Sequence, residues 1–441
     1  MRIEMKITIL MLLSLSFIAF AGKPKSNYDK SKIPSYTLED PLQFIYGRKV
    51  KTFEDWRVRR AEILELFQRR MYGRLPPKPS AMVTELIDEK ETCSSFGIRR
   101  RVRMWFKSDK TGPYIDWLVV RPKHGSAASP VLLFLNSLGS FQILPDEDLL
   151  PADGFINELG DSKTVESRKK LKNSPKHRAS WANPCSRYHL PIAAVLARGF
   201  AIVTACYFDI APDPSEQKDR ATKYRRRCME LWPETKGQDD DTRAIMAWGW
   251  GLMRGMDLVE EESGLDAKRV VVTGCSRLGK AALIAGAYDE RFAVVVPNQT
   301  GKGGVPLTKR FYGENIATEA YSFPHWFTPG YLANAGRDHL MDFDQHLLLA
   351  CVAPRALLVE GFNQKWFDTE GEYLSVRAAS PVWEFLGKPG LPNGCWPDSF
   401  STNAIGKYLG YVRRDGPHGL WAYDWKWMMD FAEGVFGKAD R

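Results

Sequence analysis

Short apolar runs alternate with amphipathic segments along most of the chain. Runs such as VLLFL, RVVVTG, AVVV and ALLVEG are continuously apolar, which is typical of parallel strands covered on both faces. The segments between them carry hydrophobic residues at helical spacing. Strands that alternate with helices predict an α/β fold, a three-layer sandwich with helices on both sides of one mostly parallel sheet. The predicted strands are residues 99–106, 115–120, 131–135, 201–207, 270–273, 293–297 and 356–360, and the predicted helices are residues 53–72, 242–262, 278–288, 343–352, 373–385 and 423–436.

This pattern continues without an internal repeat or a linker, so residues 22–441 are predicted to form one domain. Residues 137–187 are mostly polar and are interpreted as an insertion over one edge of the sheet. A chain of 441 residues with 44% hydrophobic and 26% charged positions can bury a large core, which excludes wholesale disorder.

The first 21 residues differ from the rest. Arg2 and Lys6 precede an apolar run over residues 7–20, and residues 19–21 read Ala-Phe-Ala, a small-residue cleavage pattern. We interpret residues 1–21 as a signal peptide; an uncleaved anchor helix is the alternative, although the run is short for a membrane span. The mature chain is then expected to be exported, periplasmic or extracellular, and to have no membrane association. No second run of about 18 apolar residues occurs, which excludes a polytopic membrane protein.

The formal net charge of +9 is spread over several basic segments. Arg99, Arg101 and Arg103 fall on one face of an alternating strand, which indicates either a solvated face or a positive field that attracts an acidic polysaccharide. Export argues against nucleic acid as a partner. The seven cysteines have no metal-ligand spacing, so we predict no metal site. Fourteen tryptophans and sixteen tyrosines suit either core packing or surfaces that stack on sugars.

The segment VVVTGCSRLGK, starting at residue 270, carries the sharpest chemical signal. An apolar strand ends at Gly274, Ser276 follows, and a helix begins near Gly279. An α/β-hydrolase places its nucleophilic serine on such a strand-to-helix turn and uses the following N–H to bind an oxyanion. The spacing here is G-x-S-x-x-G, not the usual G-x-S-x-G, and a helix-capping serine is the alternative interpretation.

A general base should follow the serine in the chain. His418 lies in the loop RRDGPHGLW just before the last predicted helix, which is the topological position of that base. His325 and His339 lie in irregular stretches, and His346 falls in a helical pattern that suits a structural hydrogen bond. We therefore predict His418 as the base, with a surface histidine as the alternative.

The residues together resemble a known family. G-C-S-R-x-G-K, a G-x-G-G loop, a W-x-D-x-x-G-E segment and a late G-x-H are similar to the glucuronoyl esterases of carbohydrate esterase family fifteen, from about Tyr36 to the end of the chain. The resemblance implies an α/β-hydrolase that splits, without a cofactor, the ester between glucuronic acid side chains of xylan and lignin alcohols. It also implies glucuronoxylan or a lignin–carbohydrate ester as the partner, and we expect a monomer.

The resemblance implies roles for six residues. Ser276 is the nucleophile, His418 is the base, and Arg277 with its own backbone N–H stabilises the oxyanion. The implied sugar contacts are Lys280, Glu314 and Trp366. Without the resemblance, surface charge would explain Lys280 and Glu314, helix capping would explain Arg277, and core packing would explain Trp366.

Both positions at which the family carries its triad acid are glutamine, Gln299 and Gln364. Gln299 can still bind and orient the imidazole, so we place it with the binding residues, but it cannot stabilise an imidazolium by charge. We predict Glu360, at the end of a predicted strand, as the substitute acid. Three further carboxylates belong to a segment that the family shares in any case: Asp368, Glu370 and Glu372.

Three hypotheses follow. The first is an active glucuronoyl esterase, in which Ser276 forms an acyl-enzyme. The second is a catalytically impaired homologue that binds glucuronoxylan through the sugar contacts. The third is a general or acetyl-xylan esterase, which would release acetate and would have little need of Lys280.

Overall fold

The apolar runs form the centre of a sheet in a computed structural model of the chain, which describes residues 24–125, 127–159, 165–173, 189–214 and 217–437. The predicted signal peptide lies outside the described residues, as does much of the second half of the 137–187 segment. Within the described ranges, no helix has the length and apolar character that crossing a membrane requires.

The described strands form one sheet of nine, in the order β1-β2-β3-β5-β4-β6-β7-β8-β9. The pairs β1–β2, β2–β3 and β3–β5 are antiparallel. All the remaining neighbours, from β5 through β4 to β9 in the sheet order, pair in parallel. The parallel part brings the carboxyl ends of β6, β7 and β8 to one edge, where open α/β sheets bind ligands. The strands are β1 (Val83–Thr92), β2 (Gly97–Trp105), β3 (Tyr114–Pro122), β4 (Ser129–Asn136), β5 (Ala201–Cys206), β6 (Leu265–Cys275), β7 (Val294–Asn298), β8 (Ala356–Phe362) and β9 (Leu409–Arg414).

Helices cover both faces of this sheet. The described helices are α1 (Phe53–Phe67), α2 (Asp153–Leu159), α3 (Val165–Lys172), α4 (Ile192–Ala197), α5 (Tyr207–Ile210), α6 (Gln217–Arg220), α7 (Ala244–Glu261), α8 (Arg277–Tyr288), α9 (Ile316–Ser322), α10 (Pro329–Leu332), α11 (Gln345–Ala350), α12 (Thr369–Ala379), α13 (Pro381–Phe385) and α14 (Ala422–Phe436). Leu133 of β4 lies so close to Gly255 of α7 that an added Cβ would approach it to 3.1 Å. The next residue, Phe134, packs on Trp425 of α14 with ring centroids 5.3 Å apart. Because neighbouring strand residues point to opposite faces, α7 and α14 lie on opposite sides, which confirms the predicted three-layer α/β architecture.

Two predicted helices differ in detail from the observed ones. The helix predicted over residues 53–72 consists of α1, capped by Thr52, followed by a π-helical turn from Gln68 to Tyr72. The helix predicted over residues 373–385 is divided into α12 and α13, because Pro381 cannot continue the backbone hydrogen bonding of α12.

The arginines of β2 are not a solvated basic face. Arg99 is fully buried and lies 2.5 Å from Asp148 and 3.2 Å from Asp146. Arg101 pairs with Asp88 on the neighbouring strand. Carboxylates therefore offset the charge of this segment, and it does not form an open positive surface.

Candidate active site

Ser276 lies on the turn between β6 and α8, where the sequence places the nucleophile. Its φ of 61° and ψ of −128° lie in a region that residues other than glycine seldom adopt, and such strain often marks functional sites. The Ser276 N–H donates to the carbonyl of Asn298 at the end of β7, at 2.9 Å. This bond fixes the strained turn against the neighbouring strand, and the serine side chain is half-buried at the sheet edge.

Two glycines make the turn sterically possible. A Cβ at Gly274 would lie 2.3 Å from the carbonyl oxygen of Leu278, so β6 can meet the first turn of α8 only without a side chain there. A Cβ at Gly279 would lie 2.7 Å from the carbonyl oxygen of Asn298. The second glycine of the G-x-S-x-x-G spacing therefore lets α8 approach the end of β7.

His418 lies in the loop between β9 and α14 and points towards the same edge. Its Nδ1 is 2.8 Å from Oε1 of Gln299, which directly follows Asn298. The imidazole packs against Phe362 and Phe367, with ring centroids at 5.2 and 4.9 Å. The residues 298–299 thus connect the serine turn with the histidine loop.

A buried ion pair holds the histidine loop in place. Arg414 and Asp424 are both fully buried and lie 2.8 Å apart. The Arg414 guanidinium also donates to the carbonyls of Pro417 and Gly419, at 2.9 and 2.5 Å, on either side of His418. These bonds satisfy the backbone of a sharp loop and fix the position of the imidazole.

Gln299 is fully buried, and the peptide of Gly419 determines the orientation of its amide. The Gly419 N–H donates to Oε1 at 3.0 Å, and the Gly419 carbonyl accepts from Nε2 at 2.8 Å. The amide oxygen therefore faces His418, so Nδ1 must carry the proton for the 2.8 Å contact to be a hydrogen bond. The Nε2 atom of His418 is then the unprotonated nitrogen that a general base needs.

The other carboxyl and amide candidates have different environments. Glu360 is fully buried and accepts a hydrogen bond from the side-chain amide of Asn298. Burial and the nearby Asp424 carboxylate raise the pKa of Glu360 well above its usual range, which favours the neutral form. Gln364 is exposed at the start of the turn that carries Trp366. Glu360 as a substitute triad acid stays a prediction, and its environment argues against it.

Arg277, the first residue of α8, directly follows Ser276. It forms an ion pair with Asp213 and lies over the Trp326 ring, 4.8 Å from the ring centroid. Burial opposes its charge, but Asp213 outweighs this and raises the pKa of Arg277 above its usual value. The Nε of Arg277 is buried and has no hydrogen-bond partner among the described residues. A fixed cation at this position, together with the backbone N–H groups that begin α8, can stabilise a developing oxyanion.

Asp213 was not found from the sequence. It accepts hydrogen bonds from the Tyr207 hydroxyl at 3.1 Å, from His325 Nε2 at 2.8 Å and from Trp326 Nε1 at 3.1 Å, besides the Arg277 guanidinium. Burial alone would raise its pKa, but Arg277 and these donors lower the pKa well below the usual range. The available signal was a carboxylate just after the predicted strand over residues 201–207, at the carboxyl edge of the sheet.

If Arg277 stabilises the oxyanion, as the family resemblance implies, Asp213→Asn should lower kcat by about tenfold to a hundredfold with little change in KM, because a misplaced cation affects the transition state and not substrate binding. The measurement is steady-state hydrolysis of a soluble glucuronate ester, the substrate class that the resemblance implies. Tyr207→Phe is the matched control, since it removes one donor to Asp213 and keeps the ion pair, and its kcat should stay within about threefold. An equal loss in both variants, or a loss confined to KM, would contradict the role of Asp213 in holding Arg277.

The implied sugar contacts lie close to one another. Lys280 is buried, donates from Nζ to the carbonyl of Thr300 at 2.6 Å, and lies 5.2 Å from the centroid of Trp326. Glu314 is buried, and its backbone N–H donates to the carbonyl of Trp366 at 2.9 Å. Burial lowers the pKa of Lys280 and raises that of Glu314, and the opposite charges of the two groups counteract both shifts.

A further carboxylate lies behind these contacts. Glu319 is fully buried, accepts from the Tyr331 hydroxyl at 3.0 Å, and leaves Oε1 without a partner among the described residues. Burial and the neighbouring Glu314 raise its pKa well above the usual range. No group of three or more metal-ligating side chains is assembled in the described part of the chain.

Comparison with known proteins gives consistent matches. Residues 188–387 match the profile of a family described as fungal glucuronyl esterase. The carbohydrate esterase MZ0003, from an unknown prokaryotic organism, is 32% identical over 409 residues, which cover 92% of this chain and 91% of that protein. A 4-O-methyl-glucuronoyl methylesterase of Podospora anserina is 28% identical over 361 residues, which cover 79% of this chain but only 60% of that protein.

Solved structures agree with these matches. A glucuronoyl esterase from Solibacter usitatus superposes with a TM-score of 0.81 at 32% identity, covering 93% of this chain and all of that one. A structure described as a promiscuous CE15 esterase from a marine bacterial metagenome gives a TM-score of 0.79 at 30% identity, again over 93% of this chain and all of that one. The likeness therefore extends over nearly the whole length of the chain.

Proposed function

The chain belongs to the glucuronoyl esterases, the carboxylic ester hydrolases of carbohydrate esterase family 15, and we propose that it hydrolyses glucuronic acid esters through Ser276. The observation that carries this proposal is the path from the strained serine turn, through the backbone of Asn298 and the side chain of Gln299, to His418 Nδ1. The proposed nucleophile, orienting group and base thus lie along one sheet edge, which supports acyl transfer.

In the proposed reaction, Ser276 Oγ attacks the ester carbonyl while His418 Nε2 takes the hydroxyl proton. The oxyanion that forms lies near the Arg277 guanidinium and the N–H groups at the start of α8. When the tetrahedral intermediate collapses, the alcohol leaves with the proton from His418 and Ser276 holds the uronate as an ester. A water molecule then gives a proton to His418 and attacks the acyl carbon. When this second tetrahedral intermediate collapses, His418 returns the proton to Ser276 Oγ, and glucuronate is released.

We propose that Gln299 performs one of the two functions of a triad acid, which is to orient the imidazole of His418. Its amide oxygen holds His418 in the tautomer that leaves Nε2 unprotonated, because the Gly419 peptide fixes the amide. An amide carries no net charge, so it gives the imidazolium formed in the reaction less stabilisation than a carboxylate would. The proposal is therefore an active esterase whose chemical step is slower than a carboxylate triad would make it.

For the substrate we propose the uronate of glucuronoxylan or of a lignin–carbohydrate ester, bound through Lys280, Glu314 and Trp366. A site with buried donors and acceptors is specific for a hydroxyl-rich ring, because a ligand without those hydroxyl groups would leave the buried groups unpaired. We place the mature enzyme outside the cytoplasm, where its polymer substrate occurs, and we expect it to act as a monomer.

The test is hydrolysis of benzyl and methyl glucuronate by the wild type, with Ser276→Ala as the blank and benzyl galacturonate as the epimeric control. The esterase proposal expects acid release from the glucuronates by the wild type only. Equal inertness of both proteins, with glucuronate binding retained, would overturn it in favour of the impaired binding homologue. The substitution of both family acid positions by Gln299 and Gln364 is the observation that favours this second candidate.

Lys280→Met separates a glucuronate-specific enzyme from an acetyl esterase. Losing a charge-assisted hydrogen bond to the sugar should raise KM for benzyl glucuronate by about tenfold to a hundredfold, while hydrolysis of p-nitrophenyl acetate, which has no sugar, should stay nearly constant. Lys268→Met, at an exposed position, is the matched control for the charge change. Equal effects on both substrates would show that Lys280 does not act through the sugar.

A further inference from the structure

Three aromatic rings form a surface cluster beside the histidine loop. Phe400, Tyr423 and Trp427 lie with ring centroids 5.5 to 5.9 Å apart and contact one another in pairs. Tyr423 and Trp427 project from the first turns of α14, and Phe400 comes from the loop that precedes β9. Phe400 is 47% exposed. Singly exposed rings are ordinary, but three in mutual contact form a continuous apolar surface that needs an explanation.

The backbone at Phe400 is strained in a way that keeps its ring in the cluster. Phe400 has a φ of 65°, in the left-handed region that a bulky side chain seldom adopts. Its N–H donates to the carbonyl of Arg413 at 2.7 Å, so the end of β9 fixes this conformation. An observed strain of this kind points to a function for the residue that it positions.

A cavity adjoins the cluster and supplies polar groups. It has a volume of about 460 Å³, within the range of ligand sites, and Trp427 and Phe431 form part of its apolar wall. Thr402, Lys407 and Asp430 lie at its rim and can donate to or accept from hydroxyl groups. Lys426 and Arg198 lie 2.5 and 2.8 Å from Asp430, so the charges at this rim are of both signs. Apolar ring faces with mixed polar groups suit a neutral, hydroxyl-rich ligand better than an anion.

The cluster is joined to the active site by short contacts. Asp415, three residues before His418, accepts from Ser399 in the Phe400 loop and from Asn363 near the Trp366 turn, both at 2.9 Å. A ligand that extends from the Trp366 turn across Asp415 would reach the aromatic cluster. The surface therefore adjoins both the loop that carries His418 and the turn that carries Trp366.

From these observations we infer that Phe400, Tyr423 and Trp427 form a binding surface for neutral β-linked pyranose units, those of the xylan main chain. This inference rests on the proposed function, because only a polymeric glucuronate ester brings such a chain to this edge. The apolar faces of the sugar rings stack on the aromatic rings, and their hydroxyl groups reach the polar rim of the cavity.

The test is affinity electrophoresis in gels that contain xylan freed of glucuronic acid, with xylohexaose as the soluble competitor. Phe400→Asn removes the ring and relieves the strain, since asparagine tolerates positive φ, so binding should weaken by about tenfold without loss of thermal stability. Phe96→Asn is the matched control, because Phe96 is 70% exposed at the turn between β1 and β2. Trp427→Leu, which keeps apolar packing but removes the indole, should weaken binding as well.

Unchanged migration of both Phe400→Asn and Trp427→Leu would overturn the inference, as would an equal loss in Phe96→Asn. Because neutral xylan carries no ester, the measurement does not depend on catalysis. A protein without esterase activity that still binds xylan through Phe400 would contradict the proposed function and leave the surface in place. An active esterase with no affinity for xylan would contradict the inference about the surface and leave the proposed function in place.

Discussion

Gln299→Glu is expected to raise kcat on benzyl glucuronate by about a hundredfold. Replacing the carboxylate of a serine protease triad with an amide costs about 10⁴ in turnover, and part of that cost comes from the wrong histidine tautomer. Gln299 already holds His418 in the productive tautomer, so the glutamate would add only the charge that stabilises the imidazolium. The gain should therefore be smaller than the full cost in the protease.

The same substitution should lower stability. The Gln299 amide Nε2 donates to the Gly419 carbonyl at 2.8 Å. In Gln299→Glu, a carboxylate oxygen would replace this donor and face the carbonyl oxygen in a fully buried position, so that two acceptors would repel each other. The Arg414 guanidinium, which also donates to this carbonyl, offsets part of the repulsion. We expect a loss of about 1–3 kcal/mol in the free energy of unfolding.

Steady-state kinetics and thermal denaturation of the same preparation measure both effects. Gln238→Glu makes the same chemical change at an exposed position and should alter neither quantity. A stability loss without a gain in kcat, in an enzyme that still needs Ser276, would show that the missing charge at residue 299 does not limit kcat. A substitute carboxylate such as Glu360 would then have to serve His418.

The sequence predicted the central strands and the nucleophile turn because their signals are local. Continuous apolar runs identify β4, β6, β7 and β8, and the steric reason for Gly274 before Ser276 lies within the same few residues. Two edge strands were missed for opposite reasons. β1 is exposed over most of its length and carries no alternation, whereas β9 ends in two buried arginines whose burial depends on partners such as Asp424, which lies in α14.

In the active site too, the local signals were visible in the sequence, whereas the contacts between distant residues were not. Motif, topology and the family resemblance predicted Ser276, Arg277 and His418, and the fold brings the turn and the loop that carry them to one edge. The contacts that decide how they act are distant in sequence: Asp213 reaches Arg277 across 64 positions, and Gln299 reaches His418 across 119. The orientation of the Gln299 amide in particular depends on the backbone of Gly419, and no residue pattern encodes it.

Ser276→Ala is expected to lower kcat on benzyl glucuronate by about 10⁴, the largest loss among the variants considered. A full serine protease triad contributes a factor of about 10⁶ to kcat. A triad without the carboxylate charge contributes less, by the factor of about a hundred that Gln299→Glu should restore. What remains after the serine is lost comes from binding and from the oxyanion contacts of Arg277. That residual rate does not depend on residue 299.

The double variant shows whether Gln299 acts only through His418 and Ser276. If Gln299 acts only through His418 and Ser276, then Ser276→Ala and Ser276→Ala/Gln299→Glu must have the same residual kcat, because an imidazole without a nucleophile gains nothing from a neighbouring charge. The loss on removing the serine should accordingly rise from about 10⁴ in the wild type to about 10⁶ in the Gln299→Glu background. A hundredfold gain that persists without Ser276 would mean that residue 299 acts directly on water or substrate, and the proposed triad would have to be abandoned.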